Sequence, residues 1–221
     1  MANIFSSSIG KKLIMSLSGL FLITFLLVHL TVNLTMLVSS DLYNEGAHFM
    51  ATNPFIKIME PVLALGCLVH VLYAVLLTVK NMSSRPVSYS VKKDGNSSTW
   101  SSRNMFILGS CVLTFFVIHI INFWWKIKVS GDIASTTVDG VEMHDTFTLV
   151  TSLFKVWWFD VIYILAFLLL GLHLIHGFWS AFQTIGLNNS KWFIRLKTIG
   201  TIYAIVVVLG FSIIPLYFLL A

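Results

Sequence analysis

Five apolar runs, at about 13–38, 56–79, 104–125, 157–182 and 198–220, each reach or exceed the roughly 20 residues a helix needs to cross about 30 Å of hydrocarbon. Such a chain has few options, because backbone groups inside a bilayer must be satisfied by helices or closed barrels. Runs of this length predict an all-α integral membrane protein, with five spanning helices, I to V, forming one unit over residues 1–221. Composition agrees: 57% of the residues are hydrophobic and 10% charged, and the mean hydropathy of +0.88 lies outside the range of soluble domains. The first run follows Lys11 and Lys12, as in a signal peptide. It is too long for that role and no small-x-small cleavage pattern follows, so it is expected to stay as helix I.

The net charge of +5 would suggest nucleic acid in a soluble domain, but its distribution reads as membrane topology. Lys11, Lys12, Lys80, Arg85, Lys92, Lys93, Arg103, Lys191, Arg195 and Lys197 fall on the side carrying the N-terminus. Lys57, Lys126, Lys128 and Lys155 fall on the other, with every acid except Asp94. The positive-inside rule predicts a cytoplasmic N-terminus, cytoplasmic loops at 80–103 and 186–197, and an outside C-terminus. Trp100 and Trp192 then sit near inner helix ends, and Trp124, Trp125, Trp157 and Trp158 near outer ones, as interfacial belts do; Trp179 lies deeper. Cys67 and Cys111 fall within helices II and III without a CxxCH pattern, which excludes covalent c-type haem and a disulfide framework. The polar loop 81–102 reads as surface that a cytoplasmic partner can order. The outer stretch 129–156 begins polar and acidic and ends in an apolar piece, 147–154, suited to the membrane interface.

Four histidines, His29, His70, His119 and His173, stand one apiece in the interiors of helices I to IV, where a titratable imidazole is costly and marks function. At about 1.5 Å per residue, His29 lies ~25 Å beyond Lys12 and His119 ~24 Å beyond Arg103, whereas His70 and His173 lie roughly 15 Å from the inner face. They sort into two layers about 10 Å apart along the membrane normal, His29 with His119 and His70 with His173. A single membrane histidine more often bonds a neighbouring helix or relays protons; depth-matched pairs shift the balance towards ligation. The arrangement suits two haems stacked in a four-helix bundle of helices I to IV, each iron held by imidazoles from two helices, which favours electron transfer over oxygen binding. Helix V, without histidine, is expected to be peripheral to the cofactors. Ala74 and Gly177, each four residues after a histidine, leave room for a porphyrin face. Ser18, His29 and Asn33 form one inward stripe, and His173, His176, Gly177, Ser180 and Thr184 another. His176 competes with His173 as a ligand and is assigned a supporting place beside the haem or its propionates. His48 and His144 read as solvated loop residues. Thr24-Phe25-x3-His29 is echoed by Thr114-Phe115-x3-His119.

Together these residues resemble the cytochrome b membrane anchor of bacterial succinate dehydrogenase and fumarate reductase, in its single-subunit, five-helix, two-haem form. The resemblance covers essentially the whole chain. It rests on Lys12-x2-Met15-Ser-Leu-Ser-Gly19 leading to His29-Leu-Thr-x-Asn33, on His70, on His119, and on His173-Leu-Ile-His-Gly177-Phe-Trp-Ser180 with Gln183 and Gly186. It implies that His70 and His173 hold the proximal haem b and that His29 and His119 hold the distal one. It also implies a bacterial inner membrane and a quinone, with menaquinone favoured. Flavoprotein and iron-sulfur partner subunits, carrying FAD and the clusters, would dock on the cytoplasmic face; the succinate or fumarate chemistry would be theirs. In some relatives an acid in the outer connection between helices I and II serves a quinone site, and Glu45, with Tyr43 and His48 nearby, is the nearest match here. Some relatives carry a glutamate two residues before the helix IV ligand, where this chain has Gly171.

Two other functions share part of this pattern. The cytochrome of a quinone-linked hydrogenase or formate dehydrogenase would also bind haem. A haem-free, proton-coupled transporter would show repeated, interrupted helices around a midplane site, and no such pair of spans is present.

Overall fold

The computed structural model describes residues 7–83, 100–187 and 189–220; Arg85, Lys92, Lys93 and Asp94 of the loop discussed above lie outside the described residues. Among the described residues, five helices are long and apolar enough to cross a membrane. They are α1 (Ser8–Leu34, prolonged by a 3-10 turn at Thr35–Leu37), α3 (Pro54–Ser83), α5 (Met105–His119, prolonged by π-helical turns at Ile120–Trp124 and Lys126–Ser130), α7 (Trp157–Thr184) and α8 (Ser190–Leu220). Between them lie α2 (Ser40–Thr52), α4 (Trp100–Arg103), a hairpin of β1 (Ser135–Val138) and β2 (Val141–His144), and α6 (Thr146–Phe154). The spans match helices I to V. Both α1 and α8 begin earlier than the apolar runs, because hydropathy marks where a segment enters lipid and a polar N-terminal turn can precede that point. Ser7 caps α1 by accepting from Gly10 N at 3.0 Å, and Pro54 opens α3 at the one helical position that needs no N–H.

The packing departs from a plain four-helix bundle. α7 and α8 lie side by side and α1 packs on both; among the spans, α3 rests on α1 and α5 rests on α7. Helix V, expected to be peripheral, therefore fills the groove between helices I and IV, with Ala204, Val207 and Phe211 buried against Leu30, Phe167 and Leu174. Small residues permit this closeness. A Cβ on Gly200 would lie 2.9 Å from Phe178, one on Gly210 would lie 2.9 Å from Leu30, and one on Gly171 would collide with Val208. By contrast α3 carries no buried residue and α5 only Leu108. Much of the outer surface is apolar, with Leu65 60%, Ile107 61% and Leu209 65% exposed, as suits lipid contact.

The side opposite the N-terminus, called the far side here, is capped by α2, the hairpin and α6. Asn44, 2% exposed, accepts from Thr146 Oγ1 and Phe147 N, both at 2.8 Å, and donates to Asp145 Oδ1 at 3.3 Å. Asp145 in turn caps α6 through Thr148 N at 3.0 Å. In the hairpin, Ser135 pairs with His144 and Val138 with Val141. Its turn has positive φ at both Asp139 and Gly140, the geometry that matches strand twist in two-residue hairpin loops. The stretch 129–156 is thus more ordered than a polar loop with an apolar end; its final piece does form a short helix, and Val150 and Phe154 turn inward.

Candidate functional site

The four interior histidines meet in two pairs. His29 on α1 faces His119 on α5 with ring centroids 5.7 Å apart and planes at 90°. His70 on α3 faces His173 on α7 at 6.4 Å and 73°. Each pair joins spans that are not packed neighbours in the bundle, so the imidazoles reach across its interior. An iron held between two imidazoles at metal–nitrogen distances of about 2 Å places the ring centroids about 6 Å apart. Both pairs have that spacing.

Around the pair nearer the N-terminal side, polar and small groups converge. Ser18 donates its single hydroxyl proton to Met15 O at 3.0 Å, and its oxygen lies 3.3 Å from His70 Nδ1. Ser18 and His70 are thus hydrogen-bonded across spans I and II, which orients the His70 ring at this position. Glycines flank both rings: a Cβ on Gly19 would lie 3.3 Å from His70 Cε1, and one on Gly109 3.6 Å from His173 Cε1. Gly177, one turn from His173, has open space where its Cβ would stand. The Nδ1 atoms of His173 and His176 are buried and have no hydrogen-bond partner among the described residues, so each ring keeps a polar atom for a further group. His173 is the helix IV histidine that meets His70; His176 turns edge-on to Trp179 at 4.8 Å.

The far-side pair sits among aromatic rings. Phe25 stacks on His29 at 5.4 Å and Phe115 lies 6.0 Å from His119, so the Thr-Phe-x3-His echo places one ring a helical turn before each histidine. Thr24 and Thr114 each bond the carbonyl four residues back, at 3.0 Å in both cases. Phe211 of α8 comes within 5.7 Å of His29, so helix V contributes to this site after all. Phe123 and Tyr163 complete the surround at 5.2 and 6.4 Å from His119. The α-helix of span III becomes π-helical immediately after His119, a local irregularity that recurs at functional sites. On the same face of α7 as Tyr163, Asp160 is buried with both carboxyl oxygens unpartnered among the described residues.

The expected quinone acid stands apart from these pairs. Glu45 lies on α2 and is exposed, while its neighbours Tyr43 and Asn44 are the buried residues of that helix. Burial pushes the Tyr43 hydroxyl up to about 12, so it stays a neutral donor at physiological pH. His48 is half-buried on α2 and His144 is exposed in β2, so both belong to regular elements rather than loops. Sequence reasoning singled out neither Asp160 nor Phe211, although an acid four residues into a spanning helix was a readable signal for the first.

No protein-family model, curated protein or solved structure matches this chain significantly. Among the described residues no three His, Cys, Asp or Glu side chains converge as a metal-ion group. A haem iron asks less of the protein, since the porphyrin supplies four nitrogens and two imidazoles complete the sphere. The spacing of the pairs, the spare ring nitrogens and the glycines beside the rings fit that group.

Proposed function

We propose that this chain is a di-haem cytochrome b that anchors a succinate:quinone oxidoreductase to the membrane and relays electrons between its iron-sulfur subunit and a quinone. The carrying observation is the pair of two-histidine contacts, each made between different spans at about the separation that one iron imposes. His70 and His173 hold the haem on the N-terminal side, and His29 and His119 hold the far-side one. Haem b would supply reversible one-electron chemistry. The protein's part is to hold the imidazoles: Ser18 hydrogen-bonds and orients His70, and the aromatic cage around His29 and His119 excludes water. The cation-rich N-terminal side is cytoplasmic and takes the flavoprotein and iron-sulfur subunits, which perform the succinate or fumarate chemistry. Menaquinone is the favoured electron partner, as in many two-haem relatives of the family it resembles.

The test is a dithionite-reduced minus air-oxidised optical spectrum, with pyridine haemochrome quantification, on the chain purified in mild detergent with its accompanying subunits. Two low-spin haems b per chain and a co-purifying flavoprotein are expected. A folded protein from haem-replete cells that contains no haem refutes the cytochrome reading, and a co-purifying hydrogenase or formate dehydrogenase subunit refutes the assignment to succinate.

A further inference from the structure

One buried acid has no part in the reading above. Asp160, in the first turn of α7, is 2% exposed, and neither carboxyl oxygen has a hydrogen-bond partner among the described residues. A carboxyl so placed is costly in either form: as an anion it loses hydration, and as an acid it leaves its hydroxyl unbonded. Capping does not account for it, since α7 starts after Val156 with no side-chain cap. Its place in the fold leads to the far-side histidines. Tyr163 follows one turn along the same buried stripe, also 2% exposed, and its ring lies 6.4 Å from His119. Asn122 holds the Tyr163 hydroxyl at 3.1 Å. One helical turn plus one ring contact puts the carboxyl on the order of 10 Å from the far-side pair.

We infer that Asp160 is a redox-linked proton site: it binds one proton when the iron held by His29 and His119 gains one electron, and releases that proton when the electron leaves. The inference rests on the haem reading above. Charge balances, because Fe(III) plus an electron gives Fe(II) while carboxylate plus a proton gives carboxylic acid. The electron comes from the iron-sulfur partner, or from an added one-electron reductant, and the proton from water on the far side. The cause is Coulombic, since removing one positive charge in a poorly screened interior is felt at this range far more than in water. Linkage is reciprocal, so the far-side midpoint potential falls as pH rises.

The other titratable groups at this end of α7 and of the elements packed on it are hydrogen-bonded, assigned to iron, or open to the surface. Tyr163 is bonded to Asn122, and His29 and His119 are assigned to iron. Lys128 is paired with Glu60 at 3.1 Å, and Asp145 is bonded to Thr148 and Asn44. Lys126 is half-exposed, and Lys155 and Tyr217 are exposed.

The experiment uses the haem-loaded complex. Haem is first quantified in the wild type, Asp160→Asn and Asp160→Glu; a haem-free wild type counts against the cytochrome reading and therefore against this one with it. Reduced-minus-oxidised infrared spectra in H2O and D2O then report the carboxyl directly. The expected result is a deuterium-sensitive C=O band of a protonated carboxyl gained on reduction, lost in Asp160→Asn and shifted in Asp160→Glu. One of the two haem potentials should lose its pH dependence in Asp160→Asn while the other keeps its wild-type behaviour. A haem-replete wild type without that band overturns the inference with no variant needed, as does unchanged pH dependence in haem-replete Asp160→Asn.

Discussion

Replacing Ser18 by alanine isolates one contribution to haem binding. Ser18 is 8% exposed, and its hydroxyl lies 3.0 Å from Met15 O and 3.3 Å from His70 Nδ1. The substitution removes one hydrogen-bond partner of a largely buried imidazole, which costs about 1–3 kcal/mol, or roughly 5- to 150-fold in affinity. Hydrogen bonds to metal-bound imidazoles are worth 10- to 100-fold by a separate reckoning, so the two estimates overlap. The loss should fall on the haem between His70 and His173 alone. The assay is the rate at which each haem transfers to an excess of a high-affinity scavenger, with the two resolved by their potentials. Ser16→Ala serves as control, because Ser16 is also buried on α1 yet has no hydrogen bond to a histidine among the described residues. Equal loss from both sites, or none from either, would refute the role given to the Ser18 contact.

Three further outcomes test the packing and the cap. Gly171→Leu drives a side chain into Val208 and should destabilise the detergent-solubilised protein by about 1–3 kcal/mol, with partial recovery in a Gly171→Ala/Val208→Ala double variant; unaltered thermal unfolding would contradict the close approach of helices IV and V. Asn44→Ala removes three hydrogen bonds joining α2 to α6 and should open the hairpin to limited proteolysis at a cost of about 1–3 kcal/mol. Burial pushes the Asp145 carboxyl up, but hydrogen bonds from Thr148 and Asn44 outweigh it and hold it below the usual range. Its contribution is therefore present above the unfolded value of about 3.9 and is lost as pH falls through the lower folded value; amide protection at Thr148 should drop there, and protection that persists well below that range speaks against the cap.

The spans were legible because a bilayer leaves an apolar run only one common solution. The pairing of the histidines was legible too, since a rise of about 1.5 Å per residue converts position into depth. Depth says nothing of azimuth, however, and the role of helix V was missed for that reason. Without a hydrophobic driving force between helices, small residues decide which faces approach, and Gly200 and Gly210 carry no polarity pattern to betray them. That His173, the histidine already preferred over His176 from its spacing to Gly177, is the one whose ring faces His70 likewise needed the structure. The hairpin had a signal, Asp139-Gly140 between short β-branched runs, but its strands are only four residues each. Glu45, the acid expected to serve a quinone, was read in the outer connection between spans I and II, and that connection proves to be the helix α2, on which Glu45 is exposed.

The π-helical turns after His119 separate two things that an unbroken α-helix would bind together. Within them, Trp124 donates to Glu60 at 2.7 Å and Lys128 pairs with the same carboxylate, so span III grips span II at the rim while His119 addresses span I in the interior. Each π turn accommodates one more residue than the lattice before it. Deleting a single residue in 120–124 would therefore close the widened turn to ordinary α-helix, with the residues beyond it keeping about the same bearing. The turn acts as a joint that absorbs a one-residue change in length between the interior contact of His119 and the grip on span II at the rim.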